Sequence, residues 1–430
     1  MSVLVNTVST DAYGVNSINL GYEIVREKYN LEPVGFKQVL DKIPEVVYGN
    51  IFYPMQIINF ISFMKRNNIP ILKGKRSTKV ILGGQGVSNV SCMDDIADEI
   101  FKGEADGDYI DAKGWSRKSV IDTPVRTKGK LAAIELTRGC RYRCKFCEYG
   151  CVQGGKYREK DINLVKDQII ETLPITRNMN FMSANFGGYS KLAELMDFCH
   201  EKNVHVMNTD VNVRDVNHAV LKYNKSARIG VESFSEDARR YANKPVTDEE
   251  LLNFFKTAVQ TMSSIHCYLI FGLPHDNYSR WFEWIKEIAE IRKPIAHPIR
   301  VELPLTNFEP VPGTPFENEA RVDFYEKDKF LEEWSRKLVE NGFKAPPKDE
   351  SKVVYFNHQG KFGKMQNSYE LLMALKTERD LNSAFIHALH AGVDRSVDDK
   401  QARSFLKYIG ATDLIEPEYV YLKRSKNKKG

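Results

Sequence analysis

Histidine is missing from the first 199 residues of this chain, and no run of apolar residues is long enough to cross a bilayer. The first absence means that no imidazole from that segment can ligate a metal. The second follows from residues 46–64, the most apolar stretch, which Asn50, Pro54, Gln56 and Asn59 interrupt. A bilayer span needs about 20 predominantly apolar residues, so this stretch reads as a buried strand followed by a core helix. The N-terminus lacks the basic, apolar and cleavage regions of a signal peptide, which predicts a cytoplasmic protein with no membrane partner. No internal repeat and no long low-complexity segment is visible. The formal charge of +5 permits an anionic partner without demanding one.

What is present is ordinary in bulk. Hydrophobic residues make up 42% and charged residues 28%, the balance of a soluble protein with a real core. Without a secretion signal, the seven cysteines are not expected to form a disulfide framework. Four of them, Cys140, Cys144, Cys147 and Cys151, crowd into one short segment, which points to a metal.

The pattern predicts an α/β chain in three parts: a doubly wound, Rossmann-like domain with its linker over 1–125, a partial (β/α)6 barrel over 126–319, and a mainly helical region with a basic tail over 320–430. In the first part Val3–Val5, Glu45–Tyr48 and Lys79–Leu82 read as buried strands. Ile57, Phe60, Ile61 and Met64 mark one helix face between the last two. Strands alternating with helices imply a parallel sheet, and Gly83-Gly84 puts a turn at the carboxyl end of a strand. Residues 115–130 are polar and basic and read as a linker. Strands then follow at Ala132–Leu136, Asn180–Asn185, Val204–Asn208, Arg228–Glu232, His266–Phe271 and Arg300–Leu303, with helices such as Lys191–His200 and Asp248–Thr261 between them. Thr247 or Asp248 is the expected N-cap of the latter. About six such units fit a partial barrel, since a complete eight-unit one typically needs about 250 residues. Further helices are expected at Tyr325–Glu340, Ser368–Leu375 and Leu381–His390. The chain closes on five basic residues and no acid from Lys423 onward.

The decisive stretch is Cys140-Arg141-Tyr142-Arg143-Cys144-Lys145-Phe146-Cys147, just past a predicted barrel strand, at the end where such folds place their chemistry. Thiolates are the usual ligands of iron–sulfur clusters. Three thiolates on a four-iron cubane leave one iron open, and an open position separates a catalytic metal site from a structural one. If Cys151 joined as a fourth ligand, the site would be a zinc site or a closed electron-transfer cluster. The spacing does not match paired CxxC zinc motifs, and Val152, not proline, follows Cys151.

The x3, x2 spacing, with Phe146 immediately before the third cysteine, resembles the signature of the radical S-adenosylmethionine (SAM) superfamily. The resemblance implies a 4Fe–4S cluster on Cys140, Cys144 and Cys147 and SAM chelated at the open iron. Reductive cleavage of SAM would then give a 5′-deoxyadenosyl radical that abstracts a substrate hydrogen. It also implies a reducing partner such as flavodoxin or ferredoxin. Downstream, Gly230-Val231-Glu232-Ser233 is similar to the fourth barrel strand of the family, and Tyr268–Pro274 to the fifth. By that likeness Phe146, Glu232 and Gly272 contact SAM, with Ser183 and Asn185 after the second strand and Asn212 and Arg214 at the third. Asn208, Asp210, Asn212 and Arg214 would share one face if the third strand stayed extended. Residues 308–316 look like the proline-rich exit after strand six. No catalytic side chain is assigned, and His200, His205 and His218 are given no role.

Val80–Gly86 and the Gly103-Glu104 element resemble the end of the Rossmann-like domain that precedes the barrel in cobalamin-binding members. The Asp-x-His-x-x-Gly motif that gives cobalt its lower ligand is absent, which leaves cobalamin open. Methyl transfer would follow if cobalamin binds. Otherwise the expectation is radical modification or rearrangement, and the basic tail admits a nucleic-acid base or nucleotide as well as a small molecule. A non-catalytic iron–sulfur electron-transfer protein is the reading from another class.

Overall fold

The computed structural model describes residues 1–343 apart from 8–19, 52–55, 90–92, 121–122, 129, 154, 208–209, 216–217, 245, 297–298, 309, 312 and 321–323. The described residues divide into two compact units, 1–118 and 119–343. Ser368–Leu375, Leu381–His390, Asn208 and the basic tail lie outside the described residues.

In the first unit β1 (Ser2–Asn6), α1 (Leu20–Lys28), β2 (Glu32–Gly35), β3 (Val46–Asn50), α2 (Gln56–Arg66), β4 (Lys79–Gly83), α3 (Met93–Ile96) and β5 (Glu99–Ile100) follow in order. All strands are parallel, in the order β2-β1-β3-β4-β5. That is one of the two common doubly wound orders, whose ligands bind where the order reverses, outside the carboxyl ends of β1 and β3. The expected helix face forms: Ile57, Phe60, Ile61 and Met64 on α2 are fully buried. Burial of each large side chain is worth about 1.5–3 kcal/mol. The edge strand β2 was not anticipated; its Glu32-Pro33-Val34-Gly35 carries no alternating pattern, and only Val34 is buried.

A hairpin of β6 (Tyr109–Ile110) and β7 (Ser116–Arg117) ends this unit. Here the linker reading needs correction. Trp115, Val120 and Thr123 are buried, and β8 (Arg126–Lys128) pairs antiparallel with the first barrel strand.

The second unit runs through β9 (Leu131–Glu135), β10 (Thr137–Arg138), β11 (Arg158–Glu159), α4 (Ile162–Thr172), β12 (Asn178–Met182), α5 (Leu192–Glu201), β13 (His205–Val206), β14 (Asp210–Val211), α6 (His218–Tyr223), β15 (Ser226–Glu232), α7 (Glu236–Tyr241), α8 (Asp248–Thr261), β16 (Ser264–Phe271), α9 (Tyr278–Arg292), β17 (Arg300–Glu302), β18 (Leu305–Asn307) and α10 (Phe324–Glu340). The parallel strands fall in two sheets, β13-β12-β9 and β14-β15-β16-β17, with β18 also on β16. The third barrel position is described in two pieces on either side of residues 208–209: β13 pairs with β12, while β14 pairs with β15. Counting β13 and β14 as one strand, and β17 and β18 as another, gives the six parallel positions of a partial barrel. Thr247 caps α8 with a reciprocal capping box to Glu250. One core cluster binds strands and helices, and α10 joins it through Phe330 and Trp334, which pack on Trp281 of α9.

Candidate active site

β9 delivers the chain to the cysteine loop at its carboxyl end. Two buried residues fix the exit: Arg138 donates to both carboxylate oxygens of Glu135, at 2.6 and 2.9 Å, and to Thr123 Oγ1 at 2.9 Å. A fork of this kind is strong and geometrically specific. β10 then pairs antiparallel with β11, so residues 139–157 form a loop pinched at its base. The pinch is reinforced by Glu159, which accepts from Arg141, Tyr157 and Ser190. Although part-burial works against its charge, these donors hold the Glu159 carboxyl below its ordinary pKa.

Within the loop Gly139 N–H donates to Tyr149 Oη at 3.1 Å, and Tyr149–Gln153 makes one wide π-helical turn. The other wall comes from the loop after α7. Lys145 N–H donates to the Ala242 carbonyl at 2.9 Å and Asn243 Nδ2 to the Arg143 carbonyl at 2.9 Å. The Lys145 ammonium lies 4.4 Å from the centre of the Tyr241 ring. Phe146 packs against Leu273, Phe308 and Phe316.

The six described cysteines are thiols rather than disulfides. Burial pushes the Cys144 thiol up to about 12 and raises Cys147, with Cys140 and Glu232 adding to both. Gly150 N–H points at Cys147 Sγ from 3.4 Å. The fourth thiol is turned elsewhere: Cys151 Sγ donates to the Cys144 carbonyl at 3.2 Å. Among the described residues no three His, Cys, Asp or Glu side chains are gathered tightly enough for a single metal ion. Around one zinc the sulfurs would stand about 3.8 Å apart, given Zn–S bonds near 2.3 Å. Cys140, Cys144 and Cys147 influence one another's ionisation, Cys151 acts on Cys147 as well, and a backbone N–H is aimed at the Cys147 sulfur.

Facing this loop, β15 ends in an irregular step. Gly230 pairs with Tyr268 and Glu232 with Leu269, so Val231 is an extra residue in the ladder. Glu232 has φ +67, a left-handed conformation rare for a residue with a side chain. Its carboxylate meets Lys244 Nζ at 3.0 Å, with both side chains nearly buried. Burial opposes the charge on Lys244, but Glu232 and Cys144 beside it hold its pKa above the ordinary value. Gly230 is needed here because a Cβ on it would collide with Glu232 Oε1 and Lys244 Nζ.

The other predicted contacts are joined differently from expectation. β12 stops at Met182, so Ser183 and Asn185 lie in the following loop. Ser183 Oγ is 2.7 Å from Thr137 Oγ1, Asn212 N–H donates to Asn185 Oδ1 at 3.1 Å, and Arg214 N–H to Asn212 Oδ1 at 3.0 Å. The four residues thus form one chain along the strand ends. The shared face through Arg214 does not form, because β14 ends at Val211 and residues 213–215 curl into a 3-10 turn. Arg214 is exposed and paired with Glu250 at 3.2 Å. Gly272 adopts φ +89 and donates its N–H to Tyr278 Oη at 3.1 Å.

A cavity of about 460 Å³ opens at the opposite end of the strands, lined by Cys199, His200, His205, Tyr223, Asn224 and Ser263 among others. None of the predicted cofactor residues lines it. His200 stacks on Tyr223 there and His205 Nδ1 lies 3.0 Å from Asn178 Oδ1, so both have structural partners.

Known proteins resemble this chain in sequence and in fold. Residues 134–288 match the model of the radical SAM superfamily. The match covers the first five barrel strands and the cysteine loop, and members of that superfamily use a 4Fe–4S cluster and SAM. An uncharacterised protein of Methanocaldococcus jannaschii is 23% identical over 216 residues, 49% of this chain and 48% of its own length, so the chain spans about half of the curated relative it matches. In fold the chain is similar to two cobalamin-dependent members. OxsB with aqua-cobalamin bound aligns over 96% of this chain and 76% of its own, with a TM-score of 0.52 and 13% identity. TsrM from Kitasatospora setae, a methyltransferase solved with tryptophan and a SAM analogue, aligns over 73% and 74%, with a TM-score of 0.50 and 12% identity. No helix among the described residues is long and apolar enough to cross a membrane.

Proposed function

We propose that Cys140, Cys144 and Cys147 hold a 4Fe–4S cluster with one open iron, and that the chain uses it to cleave SAM and abstract a hydrogen from a substrate of its own. The observation that carries this is the meeting of the three-thiol loop with the buried Glu232–Lys244 pair at the strand ends. When bound, cluster and SAM supply one-electron cleavage of a sulfonium C–S bond. The chain's residues do the rest. Phe146 and the Leu273–Phe308–Phe316 cluster give an apolar wall, Gly272 lets a ligand approach the backbone, and Glu232 and Lys244 offer one charge of each sign to the polar groups of SAM. Ser183, Asn185 and Asn212 stand as further contacts, and a flavodoxin or ferredoxin would supply the electron.

Cobalamin in the N-terminal unit is the second part of the reading, favoured by the fold likeness to OxsB and by the chemistry of the first sheet. At the carboxyl ends of β1 and β3, Asn50 Nδ2 is buried without a hydrogen-bond partner. Gly84, with φ +103, has no room for a Cβ against the Ile51 carbonyl. With no histidine before His200, the corrinoid would be held without an imidazole ligand from residues 1–199, and methyl transfer would be its use.

The test is anaerobic reconstitution with iron and sulfide, then dithionite-driven formation of 5′-deoxyadenosine from SAM, with extraction of bound corrinoid. Deoxyadenosine together with a SAM-induced change in the cluster spectrum is expected. A fully loaded cluster that shows neither would overturn the reading. A corrinoid in the extract directs the substrate search to methylation, and its absence from protein made with cobalamin supplied removes that half of the proposal.

A further inference from the structure

The left-handed backbone at Glu232 needs something to hold it, because a side chain at positive φ crowds the following carbonyl. The next residue supplies the hold. Ser233 is fully buried, and its hydroxyl, N–H and carbonyl are all hydrogen-bonded. Its Oγ donates to Asp276 Oδ1 at 2.7 Å and accepts from Ser235 N–H at 2.9 Å and Trp281 Nε1 at 3.1 Å. Its N–H donates to the Val231 carbonyl at 2.9 Å, and its own carbonyl accepts from Arg239 Nη1 at 2.7 Å.

Arg239 reaches further. It is fully buried, and its Nε donates to the Val246 carbonyl at 2.7 Å and its Nη2 to Asp248 Oδ1 at 2.6 Å. The Arg239 carbonyl accepts the N–H of Lys244 at 2.8 Å. One guanidinium therefore fixes the strand end that carries Glu232, and the same residue's backbone fixes the loop that carries Lys244. Asp276 ties both to the loop after β16. Trp281 Nε1 also donates to its Oδ1 at 2.8 Å, while its buried Oδ2 makes no hydrogen bond. A buried carboxylate oxygen without a partner costs stability. Burial accordingly pushes the Asp276 carboxyl up to about 6.

From this geometry we infer that Asp276 and Arg239 are positioning residues: through Ser233 they clamp Glu232 in its left-handed conformation and hold the Glu232–Lys244 pair over the cysteine loop. This rests on the reading of Glu232 as a SAM contact. The clamp acts through Glu232, so its loss should appear in SAM binding and not in cluster assembly.

The experiment uses the reconstituted full chain, with SAM as the probe. The SAM dependence of deoxyadenosine formation is measured for Glu232→Gln, Asp276→Ala, Asp276→Asn, Ser233→Ala and the double variant Glu232→Gln with Asp276→Ala. Iron content and circular dichroism of each are recorded. Asp276→Ala and Ser233→Ala should raise the KM for SAM about tenfold, the size of one buried hydrogen bond to a charged group, with iron content unchanged. Asp276→Asn should restore most of the loss, because its amide oxygen still accepts from Ser233 and Trp281. In the double variant the second change should add nothing to the first. If Asp276→Ala and Ser233→Ala leave the SAM KM at the parent value while Glu232→Gln raises it, the clamp is wrong and the role of Glu232 survives. If Glu232→Gln leaves the KM unchanged, the reading of Glu232 falls and the clamp falls with it. Additive effects in the double variant would also overturn the clamp.

Discussion

The two units end their parallel strands in different chemistry. In the barrel the strand ends gather thiols, a buried Glu–Lys pair and a buried arginine. Among the described residues, the ends of β1 and β3 carry neutral groups: buried Thr7, Asn50 with its unpartnered Nδ2, Gln56, and Asn59, whose amide donates to the Thr7 carbonyl at 2.8 Å. One topological position, the carboxyl end of parallel strands, thus carries charged and thiol side chains in one unit and neutral, amide-bearing ones among the described residues of the other. On the proposed reading, charge sits where SAM would be cleaved and amides sit where the corrinoid would be held.

The largest break in this contrast should come from Lys244→Met. It strands Glu232 as an unpaired buried carboxylate, and removing one partner of such a pair costs about 3–5 kcal/mol. Urea titration of the variant reads this directly, and SAM cleavage should fall with it. Gly230→Ala should come next. Its Cβ displaces the Glu232–Lys244 pair, so SAM cleavage should drop by roughly tenfold or more while corrinoid retention stays at the parent level. The complementary change is Gly84→Ala, strained by φ +103 and crowded by the Ile51 carbonyl. It should cost about 1–3 kcal/mol and lower corrinoid retention, leaving deoxyadenosine formation intact. If both glycine variants affected both readouts alike, the division of labour would be lost.

A smaller effect is expected from Asp276→Asn on the pH dependence of stability. The folded-state pKa is raised to about 6 from the ordinary 3.8, by burial that the hydrogen bonds from Ser233 and Trp281 and the nearby Arg239 only partly offset. Folding therefore favours the protonated acid. That contribution is complete below pH 3.8 and is lost as pH rises through about 6. The asparagine variant cannot lose it, so relative to the parent it should gain up to about 3 kcal/mol between about pH 4 and pH 7, read from urea midpoints. A difference that does not change with pH would show that Asp276 is ionised throughout.

Much of this was legible in the sequence where a local rule governs. Strands such as Lys79–Gly83 and Ser264–Phe271 are apolar runs, and the α2 stripe and the Thr247–Glu250 box are short-range patterns. The cysteine loop is equally local. What escaped depends on partners far along the chain. Ser233 and Asp276 are 43 residues apart, and nothing near either predicts their contact. The end of β14 at Val211 and the 3-10 turn after it defeated an alternation argument that assumed one extended strand, which is why Arg214 meets Glu250 instead of sharing a face with Asp210. Residues 115–130 looked like a linker because their polar side chains hide Trp115, Val120 and Thr123 in the packing.

The most direct test of the central claim is deoxyadenosine formation by reconstituted Cys144→Ala beside Cys151→Ala. Cys151 already donates its thiol to the Cys144 carbonyl. With three cysteine ligands and an open iron, Cys144→Ala should lose both the cluster and deoxyadenosine, and Cys151→Ala should keep both. Loss of the cluster in Cys151→Ala, with no SAM cleavage by the parent, would instead describe a closed four-thiolate cluster that carries electrons and makes no radical.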